Sequence, residues 1–328
     1  MSGKPRIATV SLNSAVDQTV TVRGFAVDTV NRVSEARVDA GGKGVNVASF
    51  LAHFGHEVVV TGLLGRDNEA LFAQHFEAAG VVDACLRVAG ATRTNVKIVD
   101  PDNNTVTDLN FPGIRTADAD LAAIRERLEV VAAGGIDWLV LAGSLPEGMP
   151  VTAYADLIAW AKGRGIRVAL DTSGAPFGPA VLAGPDIIKP NIAELRELTS
   201  QPLEDHDAVI AAARRLNARG ISMVAVSMGA EGAILVTPEA AVLARPPRVP
   251  VASTVGAGDA MVAGLVHAAT LGLPLAEAAP LATAFSLGAL GEIGPRLPGT
   301  AKIEALARQV GVTELCGPAK SPRTEETQ

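Results

Sequence analysis

Short runs of continuous apolar residues, bounded by turn formers, alternate along this chain with stretches whose apolar positions recur every three or four residues. The continuous runs at 7–12, 58–63, 138–142, 168–170, 186–188 and 223–226 predict strands buried on both faces. The periodic stretches at 45–54, 69–79, 118–132, 152–162, 207–218, 260–271 and 277–290 predict amphipathic helices. Apolar strands separated by helices are the signature of an α/β fold. The expected architecture is a doubly wound, mostly parallel sheet flanked by helices, with right-handed connections.

Two regions depart from this pattern. Residues 19–40 alternate and are rich in Val and Thr, with Gly24 and Asp28 as turn formers. Residues 94–111 read as a hairpin closed by Pro101-Asp102-Asn103-Asn104. Together they predict a small antiparallel β lid, drawn from about 18–40 and 92–112. Such a sheet has too little core to stand alone and needs a surface to lie on. The reading is one domain over 1–316 carrying this lid, then a polar tail at 317–328 expected to be disordered.

Composition narrows the partners. The net charge is −7 and the basic residues are scattered, so no nucleic-acid stripe or membrane-seeking helix is expected. Anionic ligands would have to be held by local donors rather than by the overall field. The two cysteines are far apart and the five histidines dispersed, without metal-ligand spacing. The N-terminal residues lack a signal-peptide pattern, and no run approaches the ~20 apolar residues of a membrane span. A cytoplasmic protein is expected.

Polar residues cluster just past the predicted strand ends: Asp17, Gly143-Ser144, Asp171, Lys189-Pro190-Asn191, Ser227 and Gly229. In open α/β sheets that edge is where ligands bind. Three stretches sharpen the picture. In Ser253-Thr254-Val255-Gly256-Ala257-Gly258-Asp259, a strand-like segment at 248–252 leads in and a helix leads out. Its glycines let a ligand approach the backbone, the free amides of the helix start favour an anion, and Asp259 can accept a hydroxyl proton there. In Ala40-Gly41-Gly42-Lys43-Gly44-Val45-Asn46, glycines, an ammonium and an amide open a helix, which suits a polyhydroxylated or anionic ligand. The spacing fits neither a Walker loop nor a G-x-G-x-x-G fingerprint. In Lys189-Pro190-Asn191-Ile192-Ala193-Glu194, Asn191 and Glu194 either support Mg²⁺, through water, or form a helix capping box, and the two readings are compatible.

These stretches, in this order, resemble the ribokinase-like (PfkB-type) sugar kinases: Gly-Gly-Lys-Gly-Val-Asn-Val-Ala their N-terminal signature, Ser-Thr-Val-Gly-Ala-Gly-Asp-Ala-Met their C-terminal one, and Asn191 to Glu194 their Mg²⁺-linked motif. Within that family the likeness is to the bacterial 1-phosphofructokinases, carried by Ser11 to Asp17, Thr92 to Lys97, Thr107 to Gly113 and Gly143 to Pro146. Ser14, where many relatives have proline, and Gly41, where several have alanine, depart from it.

The resemblance implies ATP and Mg²⁺ as cofactors and a homodimer joined through the lid. It implies Asp259 as base, with Gly256, Ala257 and Gly258 stabilising the transferred phosphoryl group. Asp17, Gly41, Gly42, Asn46, Asn95 and Ser144 would hold the sugar, and Arg93, Lys43 and Lys97 the phosphate already on it. Lys189, Asn191, Ser227, Gly229, Gly232 and Thr254 would line the nucleotide site, and Glu194 would support the metal. The expected reaction converts fructose 1-phosphate to fructose 1,6-bisphosphate. A kinase for tagatose 6-phosphate or fructose 6-phosphate, or a non-catalytic sensor, stays open on the sequence.

Overall fold

The computed structural model describes residues 6–251 and 253–316, so the tail expected at 317–328 lies outside the described residues. The chain enters through β1 (Arg6–Ser11), forms β2 (Ala15–Thr21) and β3 (Glu35–Gly41), and runs directly into α1 (Lys43–His53). Next come β4 (Glu57–Gly65), α2 (Glu69–Ala79), the short strands β5 (Val82–Asp83) and β6 (Leu86–Val88), and the hairpin of β7 (Thr94–Asp100) and β8 (Thr105–Leu109). Helices and strands then alternate: α3 (Asp118–Ala133), β9 (Trp138–Ala142), α4 (Ala153–Lys162), β10 (Arg167–Asp171), α5 (Phe177–Leu182) and β11 (Ile187–Ile188). The last part holds α6 (Ile192–Thr199), α7 (His206–Asn217), β12 (Met223–Ser227), β13 (Ala233–Val236), β14 (Ala241–Arg245), α8 (Ala257–Thr270), α9 (Leu275–Leu290), α10 (Thr300–Ala307) and β15 (Gly311–Cys316).

The large sheet has the order β15-β14-β13-β12-β11-β10-β9-β1-β4-β5, with β6 also on β4. From β12 to β5 every pair is parallel, whereas β12 to β15 join antiparallel. Successive side chains of a strand point to opposite faces, and here both faces are buried. In β9, Trp138, Val140 and Ala142 join one core with α1, α2, α8 and α9. Leu139 and Leu141 join the other, with α3, α4, α5 and α7. This double burial is why the strands read as continuous apolar runs. Among the described residues no helix is long and apolar enough to cross a membrane.

Three expectations are corrected. The segment entering α8 is not a strand, because Pro246, Pro247 and Pro250 withdraw backbone donors from any ladder. The strands β13, β14 and β15 extend the sheet beyond the runs predicted. The lid is a mixed rather than an antiparallel sheet, ordered β3-β2-β7-β8, because β2 and β7 run parallel. Parallel neighbours require a long crossover, and the chain from β3 to β6 provides it.

The lid has two unlike faces. Asp39, Asp17 and Asn95 are register partners on one, with Lys97 and Asp108 paired on the same side. Val38, Gln18, Val96 and Leu109 are register partners on the other. The polar face is turned to the carboxyl edge of the large sheet. Strand β3 is pinned there by Asp39, which accepts from Arg296 on the loop after α9 at 2.9 Å, and by Arg37, which donates to the Ile293 carbonyl on the same loop at 3.4 Å.

Candidate active site

Helices α1 and α8 begin side by side at the carboxyl edge of the large sheet. Each starts on a glycine whose backbone no other residue adopts easily: Gly42 at φ +108° and Gly256 at φ +76°. A Cβ at Gly44 would sit 2.6 Å from the Val10 carbonyl, so α1 can press against β1 only with glycine there. This approach brings Asn46, one turn into α1, against Asp259 in the first turn of α8. The Asn46 amide donates to Asp259 Oδ2 at 2.8 Å. Both side chains are buried, at 5% and 6% exposure. The first helical bond of α8 runs from the Ala260 amide to the Gly256 carbonyl, at 2.7 Å. The amides of Ala257, Gly258 and Asp259 are therefore not spent within the helix and make an anion-binding start.

A charged cluster surrounds this point. Asp171, at the carboxyl end of β10 and 2% exposed, lies 3.3 Å from Lys43 Nζ and 3.6 Å from Lys189 Nζ. A Cβ at Gly258 would be 3.6 Å from Lys189 Nζ, so that ammonium stands beside the open amides. Burial raises the Asp259 pKa to about 6, against the pull of the Lys43 ammonium and with a push from Asp171. For Lys43, burial works downward but the Asp171 and Asp259 carboxylates outweigh it, and its pKa rises. The ammonium thus stays charged, while the Asp259 carboxyl exchanges its proton close to neutrality.

The lid closes the opposite side. Asp17, Asn95 and Lys97 from its polar face, with Thr254, Val255 and Pro295, line a cleft of about 300 Å³. Burial raises the Asp17 pKa, and Asn95 donates to this carboxylate at 3.4 Å. Asp17 lies over Gly41, where a Cβ would come within 2.0 Å of its Oδ2. Lys97 is ion-paired with Asp108. Arg93 spends three donors on backbone carbonyls, those of Asn13, Ser14 and Phe111. Ser144, exposed on the loop after β9, accepts from Asn13 at 3.1 Å.

On the far side of α8, Asn191 and Glu194 form the full capping box of α6, each side chain accepting from the other's backbone amide at 2.8 Å. One Glu194 oxygen makes no hydrogen bond among the described residues. Ser227 bridges to Asn191 at the end of β12. Gly229 begins the short 3₁₀ turn that follows, and Gly232 closes it at φ +100°, where a Cβ would strike the Ala244 carbonyl at 2.0 Å. Gly232 therefore meets a packing demand of β14.

The sequence-predicted residues thus fall into a cluster around Asp259 (Lys43, Asn46, Lys189, Gly256 to Asp259), a group on the small sheet (Asp17, Asn95, Lys97) and a group at the start of α6 and the end of β12 (Asn191, Glu194, Ser227, Gly229). In the sequence Asp171 reads only as a polar strand end. Its bridging of two lysines was hidden because Lys43 and Lys189 are distant in sequence.

Residues 7–301 match the model described as pfkB family carbohydrate kinase. The 1-phosphofructokinase of Rhodobacter capsulatus is 65% identical over 310 residues, covering 94% of this chain and 98% of that protein. The 1-phosphofructokinase of Escherichia coli (strain K12) is 34% identical over 306 residues, covering 93% and 97%. Among solved structures, phosphofructokinase-2 from Escherichia coli in complex with substrates and products matches with a TM-score of 0.86 at 27% identity, covering 92% of this chain and 98% of that one. A tetrameric inhibited form of the same protein matches with a TM-score of 0.83 at 26% identity, covering 93% and 98%.

The raised pKa of Asp259 has a consequence for stability. A carboxyl raised from 3.8 to about 6 favours folding in its protonated form. That contribution is complete below about pH 4 and lost as the pH passes through 6. At pH 8 the buried carboxylate costs on the order of 3 kcal/mol, at about 1.4 kcal/mol for each pKa unit between 3.8 and about 6. Asp259→Asn keeps an oxygen for Asn46 and removes this cost. Its melting temperature is expected above wild type at pH 8, with the gap closing towards pH 4. A variant no more stable at pH 8 contradicts the burial argument.

Proposed function

The chain belongs to the pfkB family of carbohydrate kinases, and on that premise we propose that it phosphorylates the 6-hydroxyl of fructose 1-phosphate with ATP. The observation that carries this reading is the buried Asp259 carboxyl, with its pKa near 6, at an open helix N-terminus under a polar lid. The 1-phosphofructokinases covering nearly the whole chain support the choice of sugar. The same reading has the protein working in the cytoplasm.

Asp259 accepts the proton of the 6-hydroxyl as that oxygen bonds to the γ-phosphorus and the bond to ADP breaks. Asn46 holds the carboxylate in place. Asp17, Gly41, Gly42 and Asn95 orient the sugar hydroxyls, and Arg93, Ser144 and Lys97 receive its phosphate. The amides of Gly256, Ala257 and Gly258, with Lys43 and Lys189, stabilise charge on the transferred group. Thr254, Asn191, Ser227 and Gly229 border the nucleotide, with Gly232 shaping the turn beneath it. The lid excludes water and so limits idle ATP hydrolysis.

Mg²⁺ fits this donor set in one mode only. Among the described residues there is no group of three His, Cys, Asp or Glu side chains able to hold a metal. Mg²⁺ commonly uses one or two carboxylates, waters and substrate phosphates, and Glu194 has one oxygen left over from its capping box. Glu194 would hold the ion through water, and the ion would supply charge neutralisation on the phosphates.

We also propose a homodimer through the outer lid face, supported by its apolar residues Val38, 50% exposed, and Leu109, 47% exposed. Val38→Glu with Leu109→Glu is expected to halve the mass measured by light scattering. An unchanged mass excludes this face.

The function is tested by ADP release with MgATP and equal concentrations of fructose 1-phosphate, fructose 6-phosphate, tagatose 6-phosphate and fructose. A kcat/KM for fructose 1-phosphate at least about a hundredfold above the others is expected, a gap of about 2.7 kcal/mol. A preference for a 6-phosphate overturns the substrate, and no turnover favours the sensor. In Asp259→Asn the rate should fall about a thousandfold. Turnover within about tenfold of wild type would remove Asp259 as the base.

A further inference from the structure

Asn13 lies on the loop between β1 and β2, immediately past the carboxyl end of β1, and joins three separate segments. Its side-chain amide donates to Ser144 Oγ at 3.1 Å and to the Leu145 carbonyl at 3.4 Å, both on the loop after β9. Its main-chain carbonyl accepts from Arg93 Nη2 at 3.0 Å, just before β7. Two potential anion donors are therefore referenced to one residue.

The direction of each bond matters. A serine hydroxyl has one hydrogen to give and can accept twice. Because Ser144 Oγ accepts from Asn13, its own hydrogen is left to donate outward from an exposed side chain. Arg93 gives three of its N–H groups to the carbonyls of Asn13, Ser14 and Phe111, and two of the five remain. The result is a small set of donors held rigidly with hydrogens to spare, which is what a phosphate dianion requires. Asp17 is the carboxylate that acts on Arg93 electrostatically.

The orientation of the Asn13 amide is itself constrained. Its Oδ1 is buried without a hydrogen-bond partner and lies against Gly113, where a Cβ would come within 1.9 Å. Turning the amide over would set Oδ1 against the Leu145 carbonyl oxygen, replacing a donor–acceptor contact with two acceptors. An unpaired buried acceptor works against stability. The arrangement thus keeps the amide donors on the Ser144 side at the expense of its own oxygen.

We infer that Asn13 is the positioning residue that assembles Ser144 and Arg93 into one clamp for the phosphate already on the sugar, an inference that rests on the substrate reading above. Asn13 need not touch the substrate. It fixes the polarity of the Ser144 hydroxyl and the reach of the Arg93 guanidinium.

The test compares wild type with Asn13→Asp, Asn13→Ala, Ser144→Ala and the double variant Asn13→Ala with Ser144→Ala. Asn13→Asp turns the amide donor into an acceptor, draws the Ser144 hydrogen inward and adds a negative charge beside the phosphate. It should raise the KM for fructose 1-phosphate about a hundredfold, while kcat and the KM for ATP stay within about threefold. Asn13→Ala should raise that KM about tenfold alone, but less than about threefold further in the Ser144→Ala background. Inorganic phosphate, titrated calorimetrically, should bind wild type and lose its heat signal in Asn13→Asp. Thermal melts identify folded variants. An unchanged KM, a loss shared equally by kcat and the KM for ATP, or fully additive effects in the cycle overturns the inference. If wild type fails to turn over fructose 1-phosphate yet phosphate binding still depends on Asn13, the clamp stands and the substrate reading falls.

Discussion

Burying a carboxylate is costly unless donors and opposite charge meet it, and the active edge of this protein is organised around one such group. Asp259 is buried because α1 and α8 start against each other, and that contact depends on Gly42, Gly44 and Gly256. The same approach supplies what the carboxylate needs. Asn46 donates to it, Lys43 and Lys189 stand nearby, and Asp171 holds both ammonium groups without neutralising the helix start. The balance leaves Asp259 neither a permanently ionised surface acid nor a neutral buried one, but a group that gains and loses its proton near pH 6.

The lid depends on the same edge. Its polar face carries Asp17, Asn95 and Lys97 over the start of α8, and the Asp39–Arg296 pair with the Arg37 bond to the Ile293 carbonyl ties it to the loop after α9. Pro295 on that loop lines the space beside Gly256, where an added Cβ would approach it to 3.4 Å. Strand β3 is thus linked through Arg296 and Pro295 to the backbone that begins α8. The small sheet and the start of α8 thus belong to one contact surface.

Much of this was legible in the sequence because the chemistry is carried by compact local patterns. Runs such as Trp138–Ala142 announced strands through burial on both faces, and Gly256 to Asp259 announced a glycine-led helix start bearing an acid. What could not be read was long-range or mixed in cause. Nothing near Asp171 reveals that Lys43, at the start of α1, and Lys189, just past β11, converge on it. The parallel pairing of β2 with β7 depends on a crossover that no local pattern encodes. The prolines at 246, 247 and 250 outweighed the β-branched Val249 between them. The joining role of Asn13 was not readable locally, since it arises from Ser144 and Leu145 on the loop after β9 and Arg93 just before β7.

The central claim is that burial among these charges holds Asp259 ready to exchange a proton near neutrality. It is tested most directly by a ¹³C NMR titration of the aspartate carboxyls in the ligand-free protein, run beside Asp259→Asn. The account predicts one carboxyl with a midpoint near pH 6 that is missing from the variant. If every aspartate completes its titration below about pH 5, or if a carboxyl titrating near pH 6 persists in Asp259→Asn, the account is contradicted.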